Sequence, residues 1–222
     1  MTGLPPPSAQ FCLQYECLAS AEADQRRLSR ALALLPAASV ILSAPAGAAF
    51  DPRALQPLIK LIQATGSAAL IAGERDDDVA RTAVQELRAD GLHLPWSEDI
   101  EARCGVARRA LGPGYIIGAD AGRSRHDAMA LAEAGVDYVG FGMGVSGEEP
   151  IEAAGERHDL VAWWAEIFQT PVVALDVENA DDAAGLIAAR ADFISVRVAA
   201  EVSESGLESL LQPIAEALRE PA

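Results

Sequence analysis

Carboxylates and arginines are the side chains whose types and spacing could do chemistry in this sequence. Glu74 stands with Asp76, Asp77 and Asp78, and Glu98 stands with Asp99. Hard divalent cations take such oxygen ligands, so Glu74, Glu98 and Asp99 are candidate metal ligands. Asp76–Asp78 also open a helical pattern, where carboxylates favour the helix N-terminus without any metal. A second constellation joins Asp176 to Arg197. If Val172, Ala174 and Asp176 share the inward face of one strand, and Phe193, Ser195 and Arg197 that of the next, the two charges meet. They would then form either an arginine site for phosphate, oriented by the aspartate, or a structural ion pair. The stretch 140–147, with Gly142, Gly144 and Ser146, could cradle a phosphate through backbone amides or serve as a plain connection. Trp96 could stack on a heterocycle or plug an opening. His93, inside an apolar run, reads as a hydrogen-bonded core residue.

The elements that must position these groups alternate along the chain. Short apolar runs at 11–15, 39–43, 68–72, 91–94, 115–119, 137–140, 171–176 and 192–198 read as strands. Several are continuously apolar, which suits parallel strands covered on both faces. Between them apolar residues recur at helical spacing, as in Leu28, Leu32 and Leu35 or Leu55, Leu58 and Leu61. Ser124 with Asp127 fits a capping box, Asn179 or Asp181 can cap the seventh helix, and Gly66, Gly91, Gly112 and Gly135 stand where helices should stop. Eight successive βα units in one domain close most naturally into an α/β (βα)8 TIM barrel. The whole of residues 1–222 is expected to form that single domain, with residues 1–9 a proline-rich extension. An open doubly wound sheet would normally carry a glycine-rich loop after its first strand, and Glu16-Cys17-Leu18-Ala19-Ser20 has no glycine.

Composition narrows the partners. The chain has 222 residues, 50% of them hydrophobic and 23% charged, with 17 basic against 33 acidic residues and a formal net charge of −16. So negative a surface repels nucleic acid and anionic lipid. Lys60 is the only lysine and falls inside a helical pattern, so lysine chemistry at a site is excluded. Cys12, Cys17 and Cys104 form no CxxC pair and read as small buried hydrophobes in a reducing compartment. With no signal-peptide pattern and no apolar run of about 20 residues, the expectation is a cytoplasmic protein that does not span a membrane. A homo-oligomer is compatible with all of this.

The run Ala89-Asp90-Gly91-Leu92-His93-Leu94, then 110–118 and 132–142, and finally Pro171-Val172-Val173-Ala174-Leu175 with Ala191-Asp192, resembles the thiamine phosphate synthase family. The thiazole tautomerase is a relative within it, and the likeness is collinear over essentially the whole chain. The resemblance implies the barrel fold and a role in thiamine biosynthesis. It also implies a Mg²⁺-assisted transferase reaction coupling hydroxymethylpyrimidine diphosphate to thiazole phosphate, with loss of pyrophosphate. A phosphorylated small molecule is the implied partner.

Transferred position by position, the resemblance places Asp120 near the family's strand-5 serine and Arg123 near the tautomerase histidine, which makes them the catalytic candidates. Asp176-Val177 stands where a Gly-Gly pair receives the thiazole phosphate. Glu98 or Asp99 stands at the strand-4 acid. The second strand carries none of the family's cations, and Gly147-Glu148-Glu149 stands where its strand-6 lysine would lie. Arg75, Arg123, Arg125, Arg157 and Arg197 are the cations available instead. Three readings follow: a synthase-like enzyme, a non-catalytic or regulatory barrel that binds a phosphorylated ligand, and a metal-dependent enzyme of different specificity.

Overall fold

The computed structural model describes residues 9–18, 20–44, 51–73, 77–143 and 150–217. Strands and helices alternate in the order β1 (Gln10–Glu16), α1 (Ala21–Leu34), β2 (Ser39–Ser43), α2 (Pro52–Ala64), β3 (Ala68–Ala72), α3 (Asp77–Leu87), β4 (Gly91–Leu94) and α4 (Ile100–Leu111). They continue with β5 (Ile116–Asp120), α5 (Arg125–Glu133), β6 (Tyr138–Phe141), α6 (Pro150–Ile167), β7 (Val172–Val177), α7 (Ala180–Ala188), β8 (Phe193–Val198) and α8 (Glu204–Ala217). Each strand pairs in parallel with the next, and β8 pairs with β1, so the sheet closes on itself. This is the expected (βα)8 barrel, with every strand within one residue of the bounds read from the sequence. Residues 1–8 of the proline-rich extension lie outside the described residues.

Local chemistry sets several of the boundaries. Ser124 Oγ accepts from the Asp127 amide at 3.1 Å, and Asn179 Oδ1 accepts from the Asp182 amide at 2.9 Å, capping α5 and α7. Gly91 begins the strand read for 91–94, and of its two readings the helix stop is the one that fails. A Cβ there would stand 2.0 Å from the Ile116 carbonyl oxygen on the next strand.

Side chains on the two faces of the sheet form two cores. Outward-facing Leu13, Val40, Ile71, Leu92, Ile117 and Val196 pack against the helices in one large cluster. Ile41, Leu70, Ala72, Tyr138, Val173 and Leu175 fill the barrel interior in a smaller one. Burial on both faces is why the strands read as unbroken apolar runs. The interior also holds a polar pair: His93 Nδ1 and the Tyr138 hydroxyl share a hydrogen bond of 2.8 Å, and their rings stack. Burial, with Arg103 nearby, lowers the His93 pKa to about 4, so the imidazole is neutral. Gly118 makes room for the tyrosine, since a Cβ there would lie 1.8 Å from Tyr138 Cζ. His93 is thus a hydrogen-bonded core residue, as the sequence indicated. Trp164 and all three cysteines are likewise buried.

β7 carries an irregularity that matters for function. Its pairing with β8 slips between Ala174 and Val177, and Asp176 adopts φ +56°. Such left-handed backbone at a non-glycine residue needs support from its surroundings. Val172 and Ala174 face the helices, while Val173 and Leu175 face inward, and the slip that follows brings Asp176 inward too. The even-numbered inward face expected for this strand is therefore corrected: only Asp176 of that set turns toward the barrel mouth.

Candidate active site at the barrel mouth

Parallel βα barrels carry their sites at the C-terminal ends of the strands. Alternation from the two cores gives the inward positions there: Gln14 and Glu16 on β1, Ser43 on β2, Ala72 on β3, Asp120 on β5 and Arg197 on β8. Gly142 follows β6, and Asp176 joins this set through the bulge in β7.

Asp120 is the most perturbed carboxyl group of the mouth. Its Oδ1 accepts from the Gly122 amide at 2.8 Å. Burial raises its pKa from 3.8 to about 7, the amides of Gly122 and Gly142 oppose the rise, and the charge of Asp176 adds to it. Asp176 Oδ2 accepts from the Met143 amide at 3.2 Å. The two carboxylates converge over Gly142. A Cβ on that glycine would lie 2.8 Å from Asp176 Oδ2 and 3.2 Å from Asp120 Oδ2. Two like-charged groups so placed resist ionising together.

The scaffold behind Asp176 is an arginine. Arg157 of α6 is buried and donates through Nη1 to the carbonyls of Leu175 at 2.5 Å and Asp176 at 3.0 Å. Its Nη2 holds both oxygens of Asp182 on α7, at 2.6 and 2.7 Å. This arginine, a candidate ligand for diphosphate by sequence, is committed to holding the backbone.

Arg197 does not meet Asp176. Its ion-pair partner is Glu16 on the neighbouring strand, at 3.7 Å, and its side chain is 62% exposed. The expected Asp176–Arg197 pair is corrected accordingly, because the bulge in β7 turns the aspartate toward Gly142. Glu16 Oε2 also accepts from the Ala200 amide at 3.3 Å.

The remaining candidates are distributed as follows. Arg123 pairs with Glu156 of α6 at 3.0 Å, beside the mouth. Val177 is a ladder residue opposite Val196 with its side chain in the outer core. Trp96 is 41% exposed, donates to Asp127 Oδ2 at 3.2 Å and covers Gly122, where a Cβ would come within 2.9 Å of its ring. Glu98 and Asp99 are exposed at the start of α4. Ser97 Oγ donates to Asp99 at 2.7 Å and accepts from Arg103 at 2.6 Å. No three His, Cys, Asp or Glu side chains converge on a metal position among the described residues. Glu74, Arg75, Gly144 and Ser146 lie outside the described residues.

Sequence reasoning passed over Gln14 and Asp182, and took Ser195 only as sharing the inward face of Arg197. The signal for Gln14 and Ser195 was there to be read: each is a polar residue at an inward position of an otherwise apolar strand.

A closed parallel barrel with two aspartates, Asp120 and Asp176, converging over Gly142 at its mouth is an architecture of the βα-barrel class. The profile of the thiamine monophosphate synthase family (TMP-TENI) matches residues 26–200, and the chain belongs to that family. It is 36% identical over 146 residues to the thiamine-phosphate synthase of Rhodospirillum centenum, an alignment covering 65% of each chain. It is 39% identical over 116 residues to that of Moorella thermoacetica, covering 50% of this chain and 51% of the relative. The chain thus spans about two thirds or less of the curated relatives it matches. Among solved structures, the thiamine phosphate pyrophosphorylase of Pyrococcus furiosus superposes with a TM-score of 0.67 at 18% identity, over 95% of this chain and 96% of that one. A tryptophan synthase structure from Mycobacterium tuberculosis gives 0.72 at 18% identity, over 96% and 93%, so this likeness speaks for the barrel alone. Among the described residues no helix is long and apolar enough to cross a membrane.

Proposed function

We propose that the chain is a thiamine phosphate synthase-like protein that binds a phosphorylated heterocycle at the barrel mouth and moves a proton on it through Asp120. The observation that carries this reading is the convergence of Asp120 and Asp176 over Gly142 at the barrel mouth, where burial raises the Asp120 pKa to about 7. A general acid–base works best when its pKa lies near the operating pH, and a buried carboxyl beside a second carboxylate meets that condition. Asp120 takes a proton from the ligand when ionised and returns one when neutral. Burial, with the charge of Asp176 adding to it, keeps the proton on Asp120 up to neutral pH.

Arg197 supplies the cation for the phosphate. It is the cation at an inward strand position among the described residues, and its one ion pair, to Glu16, is longer than a hydrogen bond. Proton transfer suits this site better than departure of a diphosphate, which needs several cations around the leaving group. Mg²⁺, which the resemblance implies, fits the pair Asp120 and Asp176 better than Glu98 and Asp99. Both aspartates bring an oxygen to within 3.2 Å of one position over Gly142. Magnesium is commonly held by one or two carboxylates together with a ligand phosphate. Bound there, it would hold both aspartates ionised and receive the phosphate, a state alternative to the one in which Asp120 carries a proton.

Incubation of the full chain with hydroxymethylpyrimidine diphosphate and thiazole phosphate, singly and together, with and without Mg²⁺, tests the reading. Thermal shift should report binding of at least one ligand, weakened in R197A. Deuterium exchange into the bound heterocycle, followed by mass spectrometry, should be lost in D120N. Absence of binding by either phosphorylated heterocycle would overturn the proposal.

A further inference from the structure

Glu16 ends β1 with its side chain at an inward position, and the two donors it faces come from β8 and the turn that follows. Its Oε2 accepts from the Ala200 amide at 3.3 Å and lies 3.7 Å from Arg197 Nη2. Neither contact is tight, since charge-assisted bonds of this kind usually close to about 2.7–2.9 Å. The Glu16 side chain is only 12% exposed, whereas that of Arg197 is 62% exposed. A covered anion thus stands at one main-chain N–H and one guanidinium, the kind of donors that a phosphoryl group takes.

The backbone around this carboxylate is fixed. Arg27 of α1 is buried and holds carbonyls of both loops: Nη1 donates to Glu16 at 3.2 Å, Nε to Val202 at 3.0 Å, and Nη2 to Ala199. Asp24, also buried, receives the Leu18 amide at 2.9 Å and the Tyr15 hydroxyl at 2.8 Å. The main chain on either side of Glu16 and Ala200 is therefore tied to α1. What can swing aside is the Glu16 side chain, about its own rotatable bonds.

We propose that Glu16 is a specificity-determining residue whose carboxylate holds the anion position at Arg197 and Ala200 and gives way only to a dianionic phosphoryl group. A carboxylic acid brings the same single charge and the same two oxygens as Glu16, so it gains nothing by the exchange. Because Glu16 is tethered, its effective concentration at the position is high, which excludes weak monoanions. A phosphate monoester carries about 1.5 to 2 negative charges at pH 7 and three acceptor oxygens, so it can engage guanidinium and amide together and displace the carboxylate. The inference rests on the reading of Arg197 as the phosphate cation of the mouth, and it adds the residue that screens what reaches that cation.

Proton–nitrogen correlation NMR of the full chain tests it, following the Ala200 amide during titration with inorganic phosphate and, separately, with acetate. The native chain, E16Q, R197A and E16Q/R197A are compared. Phosphate should move the Ala200 resonance in the native chain, and acetate should not. In E16Q half-saturation should come at a phosphate concentration roughly 5-fold lower, the worth of one exposed ion pair, and E16Q/R197A should lose that gain. E16Q keeps the main-chain carbonyl that Arg27 holds, so its thermal midpoint should stay near the native one. Half-saturation that is unchanged or higher in E16Q, or an acetate response equal to that of phosphate in the native chain, would overturn the role of Glu16 while leaving the mouth as a phosphate site. A phosphate response at the Gly142 amide with none at Ala200 in any variant would also overturn it, and would put the phosphate at the aspartates. No response at either amide would overturn both readings.

Discussion

Arg157 and Asp182 meet in a two-toothed ion pair at 2.6 and 2.7 Å, and the other arm of that guanidinium grips the main chain at Leu175 and Asp176. One residue of α6 thereby ties the end of β7 to α7 and holds the left-handed turn at Asp176. The aspartate's position over Gly142 depends on this support.

Replacing Arg157 should therefore affect both stability and the mouth. R157A leaves Asp182 without its partner, and breaking a buried pair from one side costs about 3–5 kcal/mol. R157K keeps the charge but lacks the planar fork, so it should recover only part of the loss. Urea denaturation of the two variants checks this. Full recovery in R157K would mean that charge alone, without the fork, supports the bulge.

Asp176 acts on Asp120 through charge. D176N keeps the side chain's shape and removes a negative neighbour, so the Asp120 pKa should fall below its value of about 7. It should stay above the ordinary range, because burial is the larger cause. Carbon-detected NMR titration of the Asp120 carboxyl reads this directly, and an unchanged midpoint would show that the two groups are not coupled.

Asp120 also links stability to pH. Its pKa rises from an ordinary 3.8 in the unfolded chain to about 7 in the fold, so between those values the folded state holds more protons. Its contribution to stability is fully present below pH 4 and is lost as pH rises through 7. D120N removes this penalty. Its thermal midpoint should exceed the native one at pH 8, by roughly 2–4 °C for each kcal/mol recovered, and the difference should close toward pH 4. A difference that is the same at both ends would contradict the raised pKa.

Inside the barrel, G118A should be markedly destabilising. A Cβ at 1.8 Å from Tyr138 Cζ forces the ring away from His93, and overpacking of this kind costs about 1–3 kcal/mol. G140A should lose less, because its obstacle is a terminal methyl of Leu175 at 2.6 Å, which can swing aside. Thermal melts of the two variants compare them. Equal losses would imply that the tyrosine ring has as much freedom as the leucine.

Strand order, strand bounds and the caps at Ser124 and Asn179 were legible in the sequence because each depends on local chemistry and on period. Asp120 was legible as a candidate because it stands at the end of a strand, where barrel sites lie. The partner of Arg197 was not. Alternation along 171–176 takes the even-numbered residues as inward, whereas Val173 and Leu175 line the interior and Asp176 reaches it only through the slip, at a left-handed φ that aspartate tolerates better than most residues. Arg157 was legible only as a cation, because its partners, two carbonyls and Asp182, are brought to it by the closure of β7 and α7. Gln14 could have been found by asking which inward positions carry polar side chains.

The slip in β7 reverses the strand's parity partway along its length. Up to Leu175 the odd-numbered residues belong to the interior, and from Asp176 onward the even-numbered one does, so a single backbone irregularity converts what would be a helix-facing position into a lining position. The mouth thus acquired its second carboxylate through a change of phase in the chain. A variant that restored regular pairing there would move Asp176 out of the site while leaving every residue of the sequence in place.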